Sequence, residues 1–184
     1  MTKIISQDKE DLDRLYEQSD DPWGYTKENA DKIRLARLSQ MLVGIDPKRT
    51  LDIGSGNGFV TEKLPGEEVV GVEISDKAVE VAKKRSQKSG ITNINYVQGD
   101  LLHIHPLQLG IFDLICITGV LYEQYIGRSD YLVRGIIDKI LRPGGHLVSC
   151  HIEEWRHTKF CYKLIDADNY QYSEFWHQLE LYQK

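Results

Sequence analysis

The chain has 184 residues and little cysteine: Cys116, Cys150 and Cys161 only. An odd number without a Cys-x-x-Cys pair argues against a disulfide framework. The first two lie in apolar strand-like runs, where a reduced buried thiol is expected. No stretch approaches the about 18 consecutive apolar residues that a membrane-spanning helix needs, so no membrane partner is expected. Positive charge is in deficit, with 28 acidic against 23 basic residues and a formal net charge of −5. The broad positive field that draws proteins to a phosphate backbone is therefore missing, and nucleic acid is disfavoured as a partner. Lys83-Lys84-Arg85 and Lys139 with Arg142 are helix-spaced among acids and read as solvated faces. The start, Met1 to Asp8, lacks the apolar core and small-residue cleavage site of a secretory signal, so a cytoplasmic protein is expected. Nor is there any Gly-Lys pair, which excludes a P-loop.

At this length one domain, residues 1–184, is expected. Leu12, Leu15 and Tyr16 mark a short amphipathic helix over Asp8–Gln18, and Ile33, Leu35, Leu38, Met41 and Leu42 mark a second ending near Gly44. Between them Asp21-Pro22-Trp23-Gly24-Tyr25 is a turn carrying two aromatics. Residues 1–44 read as a helical lid, and 45–184 as the core.

From Thr50 the pattern alternates. Apolar runs at Leu51–Ile53, Val69–Ile74, Ile94–Val97, Phe112–Ile117 and His146–Cys150 are separated by helical or loop segments, the pattern of a parallel sheet covered on both faces. Helices are expected at Gly58–Leu64, at Asp76–Ser89 with Ser75 as N-cap and Gly90 beyond its end, and at Asp130–Leu141 with Ser129 as N-cap and Pro143-Gly144-Gly145 as the stop. Leu101–Gly110, with Pro106 inside it, reads as loop. Phe160–Ile165 and Phe175–Tyr182 are too close for an ordinary parallel crossover and are expected to form an antiparallel hairpin. The fold class is α/β: a doubly wound seven-stranded Rossmann-like sheet of five parallel strands closed by that hairpin.

The chemistry concentrates in Asp52-Ile53-Gly54-Ser55-Gly56-Asn57-Gly58, where a strand breaks into a glycine turn. Such a turn needs positive φ and lets backbone N–H groups approach a ligand. The dinucleotide fingerprint requires a tiny residue where Phe59 stands, which removes that reading. Asp52 would repel a pyrophosphate but can attract an amino group. Glu73, 15 residues after Gly58 at the next strand tip, suits a ribose diol, and Asp100, past the third strand, suits an exocyclic adenine amine. Together they outline an adenosine bearing an amino acid. On the later strand tips, Tyr122 and Glu123 after the fourth strand and His151 after the fifth are the candidates for catalysis, with Glu153, Glu154 and His157 beside them. No metal site is expected.

These residues, with Gly71-Val72-Glu73-Ile74-Ser75, Gly99-Asp100-Leu101, Phe112-Asp113-Leu114-Ile115 and Leu141-Arg142-Pro143-Gly144-Gly145, resemble the ordered motifs of the class I S-adenosylmethionine-dependent methyltransferases. The resemblance implies that Gly54, Ser55, Gly56, Gly58 and Asp52 hold the methionine part of S-adenosyl-L-methionine. It further implies Glu73 on the ribose, Asp100 on the adenine amine, Ile74 and Leu101 on the adenine faces, and Thr118 and Gly119 beside the sulfonium. Phe59 of the turn, Trp23 and Tyr25 of the lid, and Arg34 of the second helix complete the expected cofactor set. Asp21–Tyr25 with Gly119-Val120-Leu121-Tyr122-Glu123 is similar to the NodS-like branch, whose named members N-methylate a chitooligosaccharide amine. Asn29, Ala30 and Arg34-Leu35 depart from that branch's pattern and leave the acceptor open. The expected activity is methyl transfer to a hydroxyl or amine of a small molecule or glycan, giving S-adenosyl-L-homocysteine. The alternatives are a protein methyltransferase and a non-catalytic cofactor-binding partner module. Adenine and cytosine amino-methyltransferases are set aside, because Thr118-Gly119-Val120-Leu121 replaces their polar-Pro-Pro-aromatic sequence.

Overall fold

In the computed structural model, residues 8–24, 29–104, 108–155, 158–172 and 174–184 are described. Seven strands form one sheet in the order β3-β2-β1-β4-β5-β7-β6. They are β1 (Arg49–Ile53), β2 (Glu68–Glu73), β3 (Ile94–Gln98), β4 (Phe112–Thr118), β5 (Leu141–Ile152), β6 (Lys163–Tyr172) and β7 (Phe175–Gln183). The first five pair in parallel, while β7 runs antiparallel to both β5 and β6. The chain leaves β1 first toward β2 and β3 and later returns to its other side with β4. That reversal opens a crevice at the carboxyl end of β1, where α/β sheets bind ligands.

Burial explains the strand composition. In β4, Leu114, Ile115, Cys116 and Ile117 are all 0% exposed, because helices cover both faces. One face packs against α4 (Glu123–Ile126) and α5 (Asp130–Ile140), whose Val133 and Ile137 meet Leu51, Ile115 and Leu147. The other packs against α2 (Asn29–Met41), through Leu38 and Met41, and against α3 (Asp76–Lys88), through Val79 and Ala82. The remaining helix, α1 (Lys9–Gln18), contacts α3 from outside the sheet layers. Among the described residues no helix is long and apolar enough to cross a membrane.

Three expectations need correction. Gly58–Leu64 is not an α-helix; only a 3-10 turn, Thr61–Lys63, forms there. Gly58, at φ +80°, lies outside helical space, and Pro65 biases Leu64 to extended backbone, leaving no room for a second turn. The hairpin's first strand is not Phe160–Ile165 but Lys163–Tyr172, reaching into Asp166–Glu174, the link expected between the two strands. It is an edge strand with mostly exposed side chains, so the ladder to β7 rather than apolar burial defines it. The last long helix stops at Ile140, and β5 begins at Leu141 ahead of Pro143, with an irregularity opposite Phe112/Leu114. By contrast, α3 starts as expected, with Ser75 Oγ accepting from Ala78 N at 3.1 Å and Gly90 at φ +68° past its end. The 101–110 crossover has one 3-10 turn, Leu101–His103, and no α-helix among the described residues; Pro106 lies outside them.

Candidate active site

The glycine turn follows β1 and is pinned to β2: Gly54 N and Ser55 N donate to Val72 O at 2.8 and 3.1 Å. Gly54 sits at φ +77°, and a Cβ there would lie 2.2 Å from Val120 Cγ2. The loop after β4 is thus pressed directly onto the turn, and only glycine permits that approach. Gly58 serves packing beneath the turn, where a Cβ would meet the Tyr96 hydroxyl at 2.5 Å. The turn borders a cleft of about 470 Å³ at the β1 crevice, within the usual range for small-molecule sites.

Two acids stand at the cleft edge on successive strand tips. Glu73, 8% exposed, ties the turn to its own strand: Gly56 N donates to Oε2 at 2.9 Å and Ser75 N to Oε1 at 3.0 Å. Burial raises its pKa, against the pull of those backbone donors. Asp100 caps the following 3-10 turn, with Oδ1 accepting from Leu102 N at 2.6 Å and Oδ2 paired with His103 Nδ1 at 2.6 Å. The floor between these tips is apolar, formed by Ile74 and Leu101.

Asp52 does not line the cleft. It is 1% exposed under the turn, where Thr61 Oγ1 donates to Oδ2 at 2.6 Å and Cys116 adjoins the carboxylate. Burial pushes its pKa up to about 6, while the Arg34 guanidinium pulls the other way. Arg34, from α2, itself lines the cleft, as do Ser55, Gly56 and Phe59 of the turn and Thr118 and Gly119 at the tip of β4. Gly119 N donates to Cys150 O at 2.9 Å, fixing the β4 loop to β5.

The opposite wall comes from the N-terminal segment: Leu12 and Tyr16 of α1 and Trp23, whose ring lies 5.5 Å from that of Tyr16. Tyr25 lies outside the described residues. Asn57 joins this wall to the turn, with Nδ2 donating to Asp20 O at 3.1 Å and Oδ1 accepting from Phe59 N at 3.2 Å. Sequence reasoning missed Tyr16 and Leu12; their i, i+4 spacing announces a buried face but not what it covers. It also missed Gln124 and Tyr125, which line the cleft from α4, a single turn without an apolar repeat to betray it.

The three candidates for catalysis are not brought to the cleft wall. The Tyr122 hydroxyl accepts from Ile152 N at 2.8 Å, its ring packs against Trp155 at 5.0 Å, and burial holds its proton on far above the ordinary tyrosine range. Glu123 faces solvent beside Arg128, at 3.6 Å. His151 is 1% exposed, turned toward the face that carries α5, with Nε2 3.3 Å from Gln178 Oε1 and 3.9 Å from Glu180 Oε2. Strand alternation decides this, since Cys150 and Ile152 take the face opposite His151.

Comparison with known proteins returns a consistent family. A family model described as a methyltransferase domain matches residues 46–183. A ubiquinone biosynthesis O-methyltransferase of Pectobacterium atrosepticum is 27% identical over 117 residues, covering 62% of this chain and 47% of that protein. The chain thus spans about half the length of the first curated relatives it matches. Among solved structures, the N-methyltransferase NodS from Bradyrhizobium japonicum in complex with S-adenosyl-L-homocysteine superposes with a TM-score of 0.80 at 22% identity, covering 96% of this chain and 97% of that one. A magnesium protoporphyrin IX methyltransferase from Synechocystis with the same product bound gives 0.69 at 14% identity, over 84% and 83% of the two chains. These likenesses show the seven-stranded Rossmann-like methyltransferase fold.

Proposed function

The chain belongs to the methyltransferase domain family, and from that premise we propose that its cleft holds S-adenosylmethionine and directs the methyl group to a hydroxyl or amine of a small molecule or glycan. When bound, the cofactor supplies a methyl group on a sulfonium, transferable by in-line displacement. The observation that carries the reading is the convergence on one cleft of the glycine turn, Glu73 and Asp100 from three successive strand tips.

The site's chemistry fits such a group. Glu73 has an oxygen pair suited to a ribose diol, with lone pairs left beyond the backbone N–H donors it already accepts from, Gly56 and Ser75 among them. Ser55 Oγ is buried in the turn without a hydrogen-bond partner among the described residues, a polar atom that a ligand can satisfy. Arg34 suits a carboxylate, and ionised Asp52 beneath the turn supplies a negative field for an ammonium. Ile74 and Leu101 offer apolar faces to a purine.

Alignment and exclusion of water carry most of such a displacement, with effective molarities of ~10⁵–10⁸ M for well-oriented partners. Tyr16, Trp23 and Leu12 shield the cleft on one side, and Gly119, Val120, Gln124 and Tyr125 wall the other. Acceptor approach is assigned to the β4 tip, past Thr118 and Gly119, where Tyr125 and Gln124 can touch the acceptor. Tyr122, Glu123 and His151 are assigned no chemical role. An amine acceptor needs only to arrive unprotonated, so no base is required of this chain for that outcome. The 1–44 segment is assigned to covering the site and 45–184 to the cofactor core.

Calorimetry with S-adenosylhomocysteine tests the core of this reading: saturable binding near one equivalent is expected, and no heat together with no thermal shift overturns it. A labelled-methyl screen of cell extract, split into glycan, protein and small-molecule fractions, then identifies the acceptor class. Label confined to protein would replace the small-molecule assignment.

A further inference from the structure

We infer that Asp13 is a positioning residue for the donor site, a latch that holds α1 down over the cleft; the inference rests on the cofactor reading above. Asp13 lies on the outer helix, 62 residues in sequence from its partner Ser75. Ser75 Oγ donates to Asp13 Oδ1 at 2.6 Å, and Lys77 N reaches the same oxygen at 3.4 Å. On its other oxygen Asp13 meets Lys9 Nζ at 2.7 Å, and the same ammonium lies 2.8 Å from Asp76 Oδ2. The carboxylate thus sits on the first turn of α3, where unpaired backbone N–H groups and the helix dipole favour negative charge.

Ser75 makes this contact more than a surface pair. Its N–H donates to Glu73, its Oγ accepts from Ala78 N to cap α3, and its hydroxyl proton goes to Asp13. One residue therefore couples the cleft acid, the α3 cap and the overhanging helix. Across α1, Leu12 and Tyr16 form part of the cleft wall, and the Tyr16 hydroxyl lies 3.0 Å from where a Gly56 Cβ would stand. Release of Asp13 frees the face that covers the glycine turn.

A ligand that leaves only from the open lid escapes at a rate set by the fraction of time α1 is lifted. Loss of a charge-assisted contact then speeds release by roughly tenfold or more, without a comparable change in global stability. Asp13→Ala is the clean perturbation, because Ser75 still caps α3. Asp13→Asn keeps an acceptor for the Ser75 hydroxyl without the charge and should fall between the two. Lys9→Ala removes the partly exposed ammonium that bridges Asp13 and Asp76, and should speed release by less than Asp13→Ala does.

The experiment uses the full chain and S-adenosylhomocysteine as probe, with release followed by stopped-flow displacement and α1 opening by hydrogen exchange in free and bound protein. Asp13→Ala should release the probe roughly tenfold faster and expose α1 amides while α3 keeps its protection. Wild-type release rates, or unchanged α1 exchange, would overturn the latch while leaving the proposed function standing. Absence of probe binding to the wild type would overturn the function instead, and α1 exchange in the free variant would then decide the latch alone.

Discussion

Asp52→Asn isolates the cost of holding a buried acid under a binding turn. In the folded protein the Asp52 carboxyl titrates at about 6 against an ordinary 3.8, because burial penalises the ionised form more than Thr61 and Arg34 help it. Between those two pH values the folded chain keeps a proton that the unfolded chain has released. Stability therefore falls as pH rises from about 4 to about 6 and levels off above. The gap of about 2 pKa units, at about 1.36 kcal/mol each, sets an upper magnitude of about 3 kcal/mol. Other carboxylates titrate too: Glu73 is raised in the same sense, and Asp13 and Glu68 are lowered in the opposite one. The quantity to measure is therefore the difference between wild type and variant, from urea unfolding at pH 4 and pH 7. The amide of Asn brings its own cost, a buried donor beside Cys116, but that cost is equal at both pH values and cancels. The wild type should lose up to about 3 kcal/mol relative to Asp52→Asn on going from pH 4 to 7. Binding should run the other way: affinity for S-adenosylhomocysteine rises with pH through about 6 in the wild type, and the variant loses on the order of tenfold, about 1.4 kcal/mol, at pH 7. A pH-independent stability difference would refute the burial argument, and undiminished affinity would show that Asp52 holds the turn and nothing more.

Gly54→Ala places a methyl group 2.2 Å from Val120 Cγ2 on a backbone at φ +77°; a Tm drop of several degrees is expected, at roughly 2–4 °C per kcal/mol for a domain of this size, together with loss of product binding, and a wild-type melting curve would contradict it. Glu73→Gln turns an amide NH₂ toward either Gly56 N–H or Ser75 N–H and should weaken S-adenosylhomocysteine binding by about 1.5–3 kcal/mol; calorimetry showing equal affinity would remove Glu73 from the cofactor set. Tyr122→Phe strands the buried Ile152 N–H and should cost about 1–3 kcal/mol of stability in urea unfolding with product affinity intact; lost turnover at unchanged stability would restore a chemical role to this tyrosine.

The parallel strands, the glycine turn and α3 could be read from sequence because each rests on local physics. Buried strands in a sheet covered on both faces are continuous apolar runs, Ser75 caps its own helix, and a turn of positive φ needs glycine at Gly54. Even the order of the acids, Asp52, Glu73 and Asp100, follows from the alternation of strand and crossover, which delivers successive strand tips to one sheet edge. Tertiary structure alone decided which way each side chain faces. Asp52 precedes the turn in sequence but lies beneath it; His151 stands at a promising strand end but takes the face of the α5 layer, because strand alternation and the register with β7 fix it there. Strand β6 is defined by its ladder to β7, so its polar residues concealed it. The α1 pattern showed an apolar face with no sign of its partner, and the contact that fixes it, Asp13 to Ser75, joins positions 62 residues apart that only the folded chain brings to 2.6 Å.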